Sequence, residues 1–132
     1  MDRKLNQILI VEDEALIAFD LADLLEDAGY TIHGPYADAD EALNALKSAE
    51  LTLAILDVNL GEGRTSEKVA EYLTRTGTPI VFVSGYTPAG SEVLRNYPNA
   101  QRLSKPWDPQ ELLAMVDRFV RKGEGTEMPA PN

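Results

Sequence analysis

The sequence contains no cysteine, one histidine and few basic residues, and each scarcity excludes a class of function. Without cysteine the chain has no disulfides, no thiolate metal ligands and no cysteine nucleophile. We interpret the single histidine, His33, as structural or exposed, because one imidazole does not make a site. The 12 Lys and Arg residues stand against 22 Asp and Glu residues, and the resulting net charge of -10 disfavours nucleic acid and anionic lipid as partners.

Long hydrophobic runs are also missing from the sequence. No window approaches the ~20 apolar residues that a membrane-spanning helix needs. Residues 1–7 lead into no apolar stretch of the kind found in secretory signals. We therefore expect a cytoplasmic protein without a membrane partner, whose acidic surface binds cations or basic protein surfaces.

What the sequence does contain is a series of short apolar runs, each followed by apolar residues at helical spacing. The runs predict five strands, at residues 8–11, 31–34, 53–57, 80–83 and 101–103. After the fourth strand, Pro88 and Gly90 leave only a short predicted helix at residues 91–96. The last helix has the clearest start, with Pro109 at its first position and Asp108 before it as the cap.

The regular alternation of strands and helices predicts an α/β fold with a parallel sheet and right-handed crossovers. Strands one, three and four are strongly apolar, whereas strands two and five are weaker, and central strands are the ones buried on both faces. This ranking predicts the flavodoxin-like, doubly wound order 2-1-3-4-5 with helices on both faces. We predict one domain at residues 7–121 and a disordered C-terminal tail at residues 122–132.

Polar side chains suited to catalysis or ligand binding follow four of the predicted strands. The residues are Glu12 and Asp13 after strand one, Asp57 at the end of strand three, Ser84 after strand four and Lys105 after strand five. In the order 2-1-3-4-5 these four strands are consecutive neighbours, so their carboxyl ends line one crevice, where open α/β sheets bind ligands. We therefore expect all five side chains to converge.

The convergence of three carboxylates predicts a divalent cation, because unpaired carboxylates at close range repel each other. Mg²⁺ takes oxygen ligands and needs only a few protein carboxylates beside water and phosphate. Lys105 supplies a positive charge for a phosphoryl oxygen, and Ser84 supplies a hydroxyl donor. In this setting Asp57 is a nucleophile that can form an aspartyl phosphate.

Four short motifs carry a resemblance to a known family, the receiver domain of two-component response regulators (CheY-like). The motifs are Val11-Glu12-Asp13, Asp57 with Asn59, Ser84-Gly85 and Lys105-Pro106. The chain resembles this family over about residues 7–121, and each motif ends a predicted strand at receiver-like spacing.

The resemblance implies a role for each of these residues. A sensor histidine kinase would donate the phosphoryl group from a phosphohistidine to Asp57. Mg²⁺ would be held by Asp13, Asp57 and the backbone carbonyl of Asn59, with Glu12 acting through water.

The resemblance also implies that Ser84 follows the phosphoryl group and that Lys105 pairs with it. The Lys105–Pro106 peptide is usually cis in this family. Such a domain is not an enzyme on other substrates, because it catalyses only its own phosphorylation and dephosphorylation. We expect a stand-alone module, monomeric or weakly dimeric, that acts on an unknown downstream protein or serves as a phosphate relay or sink.

One position departs from the family pattern. Receivers usually carry a Tyr or Phe three residues before the lysine, and Arg102 stands there. The stretch 82–86 resembles the FATGUY subgroup of mostly stand-alone receivers, which lack that aromatic. We predict a switch or partner surface at Tyr86, Tyr97 and Arg102, and switching by ordering of residues 86–98.

Three other functions compete with the receiver interpretation. A phosphatase or phosphotransferase with an Asp nucleophile generally has a second Asp two residues later as general acid, and Asn59 stands there instead. A receiver-like binding module that acts without phosphorylation is a second alternative, although the set of Asp13, Asp57 and Lys105 is intact. A flavin-binding protein of the same fold would need a phosphate-cradling loop after strand one, where the acidic run would repel a phosphate.

Overall fold

The computed structural model describes residues 6–48, 50–85 and 88–127 of the chain. Five parallel strands form one sheet in the order β2-β1-β3-β4-β5, as predicted. The strands are β1 (Gln7–Val11), β2 (Thr31–Tyr36), β3 (Leu53–Asp57), β4 (Ile80–Ser84) and β5 (Gln101–Ser104). The helices are α1 (Ala15–Asp27), α2 (Ala39–Ala45), α3 (Glu67–Thr76), α4 (Pro88–Asn96) and α5 (Pro109–Glu127).

The burial of each strand explains its place in the sheet. Every residue of β3 is buried, and so are four of the five residues in β1 and in β4. The edge strands β2 and β5 are mostly exposed or half-buried. Because the middle strands have helices on both faces, they need apolar side chains on both faces, and this is the difference that the sequence shows.

The alternation of side chains along each strand divides the core into two layers. One layer packs the face of Ile8, Ile10 and Ile55 against α1 and α5. The other layer packs the opposite face of the sheet, which includes Leu9 and Leu56, against α2, α3 and α4. The two layers confirm the doubly wound arrangement and leave the carboxyl edge of the sheet free for polar residues.

Two helix boundaries follow local capping signals. The Asp38 carboxylate accepts a hydrogen bond from the backbone N–H of Glu41 at 2.8 Å and so caps α2. Gly77 ends α3 with φ of 80°, a left-handed conformation that glycine adopts without steric cost.

Three elements are longer than the sequence predicts by two or more residues. Strand β2 continues past Gly34 and Pro35 to Tyr36, and the register of its pairing with β1 shifts there, which is tolerated at a sheet edge. Helix α4 begins at Pro88 rather than at residue 91, because a proline in the first turn gives up no helical hydrogen bond.

Helix α5 is the third and extends to Glu127, so the predicted disordered tail is wrong for residues 122–127. The interior glycines of that stretch cost about 1 kcal/mol each, which weakens a helix without ending it, and residues 110–128 contain no proline. Residues 128–132 of the predicted tail lie outside the described residues. Among the described residues, no helix has the length and apolar character needed to cross a membrane.

Candidate acidic site at the carboxyl edge of the sheet

Three carboxylates meet where β1 and β3 end. One oxygen from each of Glu12, Asp13 and Asp57 lies within 4.8 Å of the others. The strands β1 and β3 pair directly, which brings the two ends together. Glu12 and Asp57 are each only 4% exposed, while Asp13 is exposed to solvent. The cluster is therefore buried at Glu12 and Asp57 and open to solvent at Asp13.

Lys105 reaches this cluster from the turn after β5. Its Nζ lies 2.9 Å from Asp57 Oδ2 and 3.1 Å from Glu12 Oε1. The backbone N–H of Lys105 donates to the carbonyl of Ser84 at 2.9 Å, which holds the turn against the end of β4. The Lys105–Pro106 peptide is cis, as the family resemblance implied.

The cluster raises the pKa of both Glu12 and Lys105. Burial, and after it the hydrogen bond and negative charge of Asp57, outweigh the opposing hydrogen bonds from the Glu14 backbone and Lys105 and together raise the pKa of Glu12 to about 8. Burial by itself lowers the pKa of Lys105, but the hydrogen bonds and charges of Asp57 and Glu12 outweigh it, so that its pKa lies above the ordinary value. Lys105 is therefore charged at neutral pH, while Glu12 readily holds a proton.

The loop that follows β3 also borders the acidic cluster. The backbone N–H of Asn59 donates to Asp57 Oδ1 at 3.2 Å, and Asn59 Oδ1 accepts from the N–H of Gly61 at 3.0 Å. The amide side chain of Asn59 is thus used by the loop itself. Gly61 has φ of 88°, and a Cβ there would lie 3.2 Å from Asp13 Oδ2. The loop needs glycine both for its backbone and for its approach to the carboxylate.

The donor set fits a hard divalent cation. The three side chains offer oxygen ligands only, at the mutual spacing of one small ion, and Gly61 keeps the space beside Asp13 free of side-chain atoms. Asp13, Asp57 and the Asn59 carbonyl are the candidate ligands, with Glu12 behind them.

Ser84 ends β4, the strand next to β3, and its side chain is half-buried. Its place at the strand end agrees with the predicted crevice, and its contact with a phosphoryl group stays a prediction.

Two of the three predicted switch residues, Arg102 and Tyr97, contact α4 and the core. Arg102 is exposed on β5, and its Nη2 donates to the carbonyl of Leu94 in α4 at 3.3 Å. The ring of Tyr97 lies 5.8 Å from that of Phe82 and is half-buried against the core. Burial raises the pKa of Tyr97, and nearby acidic residues of α3 add to the effect. Tyr86 lies outside the described residues.

His33 makes contacts with β2 and α2 that suit a structural role. Its ring meets Tyr36 edge-on at 5.6 Å, and its Nε2 lies 3.3 Å from the carbonyl of Ala45. The interpretation of this residue as structural fits these contacts.

Two residues of the site were not singled out from the sequence. Glu14 donates its backbone N–H to Glu12 Oε2 at 3.1 Å and places Oε1 3.8 Å from Lys105 Nζ. Gly61 shapes the metal side of the loop, as described above. The acidic run 12–14 was a usable signal for Glu14, whereas the approach of Gly61 to Asp13 depends on the path of the loop.

A doubly wound sheet in this order, with an acidic cluster and a lysine at its carboxyl edge, defines the CheY-like class of α/β domains. The family model of the response regulator receiver domain matches residues 8–117, and the chain belongs to this family.

Curated relatives and solved structures agree with this membership. The chain is 29% identical over 118 residues to the transcriptional regulatory protein PdtaR of Mycobacterium tuberculosis, covering 89% of this chain and 58% of that protein. It is 31% identical over 117 residues to the phyllosphere-induced regulator PhyR of Methylorubrum extorquens, covering 87% of this chain and 43% of that protein. The chain thus spans about half the length of these relatives.

Two solved structures match over most of their own length. SdrG from Sphingomonas melonis Fr1 is 35% identical with a TM-score of 0.74, over 87% of this chain and 96% of that one. A CheY-like receiver domain protein from Methanospirillum hungatei JF-1 is 26% identical with a TM-score of 0.78, over 92% of this chain and 98% of that one.

Proposed function

We propose that this receiver domain accepts a phosphoryl group on Asp57 from a sensor histidine kinase, with Mg²⁺ bound at the acidic cluster. The observation that carries the proposal is the position of Lys105 Nζ, 2.9 Å from Asp57 Oδ2 in a cluster of three carboxylates. A buried carboxylate with a lysine on one side and open metal ligands on the other is arranged to receive an anionic group.

The transfer needs little covalent chemistry from the protein. An oxygen of the Asp57 carboxylate attacks the phosphorus atom, a P–O bond forms, and the P–N bond of the phosphohistidine breaks with its electron pair going to the imidazole. Lys105 moves from Asp57 to a phosphoryl oxygen and neutralises charge, and the Ser84 hydroxyl donates to another oxygen. Mg²⁺ held by Asp13, Asp57 and the Asn59 carbonyl would supply further neutralisation of the negative charge on the phosphoryl group.

The same geometry disfavours a phosphatase that turns over external substrates. Such an enzyme needs a general acid beside the nucleophile, and the candidate position holds Asn59, whose side-chain oxygen accepts from Gly61 N–H. We therefore propose that the domain catalyses only its own phosphorylation and dephosphorylation.

The proposed downstream role is binding. We propose a cytoplasmic module, monomeric or weakly dimeric, that passes the signal to an unknown protein through its surface or acts as a phosphate relay or sink. The net charge of -10 favours basic protein surfaces as partners.

The test uses a small phosphodonor in place of the kinase. The protein is incubated with acetyl phosphate and Mg²⁺, and its intact mass is measured with time. We expect one phosphoryl adduct in the wild type and in Asp23→Asn, a matched change on the exposed face of α1, and none in Asp57→Asn. Turnover of many equivalents of an unrelated phosphomonoester would instead favour the phosphatase, and an adduct that persists in Asp57→Asn would place the acceptor elsewhere.

A further inference from the structure

Arg102 makes a direct polar connection between β5 and α4. It pairs in register with Phe82 of β4, on the exposed edge strand, at the position where the family pattern has an aromatic. Its Nη2 donates to the carbonyl oxygen of Leu94 at 3.3 Å. Phenylalanine at this position would have no donor and tyrosine only a neutral hydroxyl, so a connection through a positively charged donor is specific to the arginine of this chain.

The acceptor lies in the last turn of α4, where helix carbonyls lack an intrahelical partner. The Leu94 carbonyl also accepts the backbone N–H of Tyr97 at 3.2 Å. The guanidinium of Arg102 adds a second donor and places a positive charge at the negative end of the helix dipole. Arg102 therefore caps α4 from a neighbouring strand.

Other contacts fix the same end of the helix. The Asn96 side-chain amide donates to Glu67 Oε2 in α3 at 2.7 Å, and the ring of Tyr97 rests on that of Phe82. The C-terminal turn of α4 is thus held to α3, β4 and β5. The first residue of α4, Pro88, follows β4 closely in the chain, and β4 ends at Ser84 in the acidic crevice.

We propose that Arg102 is a clamp that holds α4 on β5 in the unphosphorylated state and that phosphoryl binding at Asp57 opposes it. The inference rests on the proposed function. Because only three residues separate Ser84 from Pro88 in the chain, a shift of Ser84 toward a phosphoryl group pulls on the start of α4. A helix held at its far end follows that displacement by loosening the contacts there, and the Arg102–Leu94 hydrogen bond is one of them. The clamp and the phosphoryl group then compete, and the competition is reciprocal by linkage.

The first arm of the test measures this coupling. The dissociation constant of beryllofluoride in saturating Mg²⁺ is measured by calorimetry for the wild type, Arg102→Ala, Arg102→Lys and Arg95→Ala. Removal of an exposed charge-assisted hydrogen bond predicts a roughly two- to fivefold tighter constant in Arg102→Ala. Arg102→Lys keeps a cationic donor, so its dissociation constant should fall between those of the wild type and Arg102→Ala. Arg95→Ala, which removes an equal exposed charge from α4 itself, should leave the dissociation constant unchanged.

The second arm measures the clamp without any ligand. Hydrogen exchange of the α4 amides should be faster by a similar factor in Arg102→Ala than in the wild type or in Arg95→Ala. Unchanged exchange shows that the hydrogen bond does not hold the helix, and an unchanged or weaker beryllofluoride constant in Arg102→Ala overturns the coupling. If the wild type binds no beryllofluoride, the proposed function fails together with the coupling, whereas a binding wild type with an unaltered Arg102→Ala overturns the coupling alone.

Discussion

Replacement of Lys105 by Met removes the cation that compensates two buried carboxylates. Lys105 Nζ lies 2.9 Å from Asp57 Oδ2 and 3.1 Å from Glu12 Oε1, and both carboxylates belong to residues that are 4% exposed. Methionine keeps the length and the apolar stem of the side chain, so the substitution acts mainly on charge. We expect Lys105→Met to be less stable than the wild type, by an amount that depends on pH and on Mg²⁺.

The size of the effect follows from the protonation of Glu12. Because the pKa of Glu12 is raised to about 8, it is protonated well below that pH, and the variant loses only the pairing with Asp57. This loss amounts to about 2 kcal/mol near neutral pH and below, the range of a hydrogen bond to a charged group. Above about pH 8 both carboxylates are ionised in the wild type, and the loss approaches about 3–5 kcal/mol, as for a broken buried ion pair.

Urea unfolding followed by circular dichroism, at about pH 6 and about pH 9, measures both values, with Lys68→Met on the exposed face of α3 as the matched control. Saturating Mg²⁺ should restore more stability to Lys105→Met than to the wild type, because the ion replaces the missing charge. Equal stability of Lys105→Met and wild type at the higher pH, or an equal gain from Mg²⁺, would refute the electrostatic account of the site.

Three further predictions concern the same site. Because the pKa of Glu12 is raised above its ordinary value to about 8, the folded metal-free protein holds a proton that the unfolded chain releases. The stabilisation from this proton is complete below the pKa of Glu12 in the unfolded chain and is lost as pH rises through about 8. The free energy of unfolding in urea should therefore depend less on pH in Glu12→Gln than in the wild type. Gly61→Ala should weaken Mg²⁺ binding in calorimetry, whereas Gly63→Ala, with a similar positive φ but no atom near its Cβ, should cost comparable stability without changing affinity; equal affinities in the two variants would contradict the proposed contact with Asp13. The fluorescence of Trp107, which lines a groove with Lys105, should change on addition of Mg²⁺ or beryllofluoride, and a constant signal at saturating Mg²⁺ counts against this placement of the ion.

The strands and the acidic cluster follow from the sequence for simple physical reasons. Apolar runs that end in Asp57 or in Glu12 and Asp13 mark strands buried on both faces, and parallel strands bring their carboxyl ends to one edge. The strand order places the turn after β5 at the same edge of the sheet, and this explains why Lys105 approaches the carboxylates. These features depend on short segments and on a general rule of sheet topology, so local patterns were enough.

The parts that were wrong or missed depend on contacts between distant segments. Proline is tolerated at the start of α4, but the helix as a whole is stabilised by packing against the sheet through the buried Val93, which offsets the low helix propensity of Gly90. The extension of β2 past Pro35 depends on pairing with β1 across a register shift. The hydrogen bond from Arg102 to Leu94 depends on how closely α4 approaches β5, and no local pattern encodes that distance.

The central claim is that Asp57 is the phosphoacceptor, and the location of the phosphoryl group tests it most directly. After reaction with acetyl phosphate and Mg²⁺, the acyl phosphate is reduced with borohydride, which converts a phosphorylated aspartate into homoserine. Peptide mass spectrometry then identifies the converted residue. The account predicts homoserine at position 57 and a strong reduction of the signal in Lys105→Met, while conversion at another carboxylate, or none in the wild type, would contradict it.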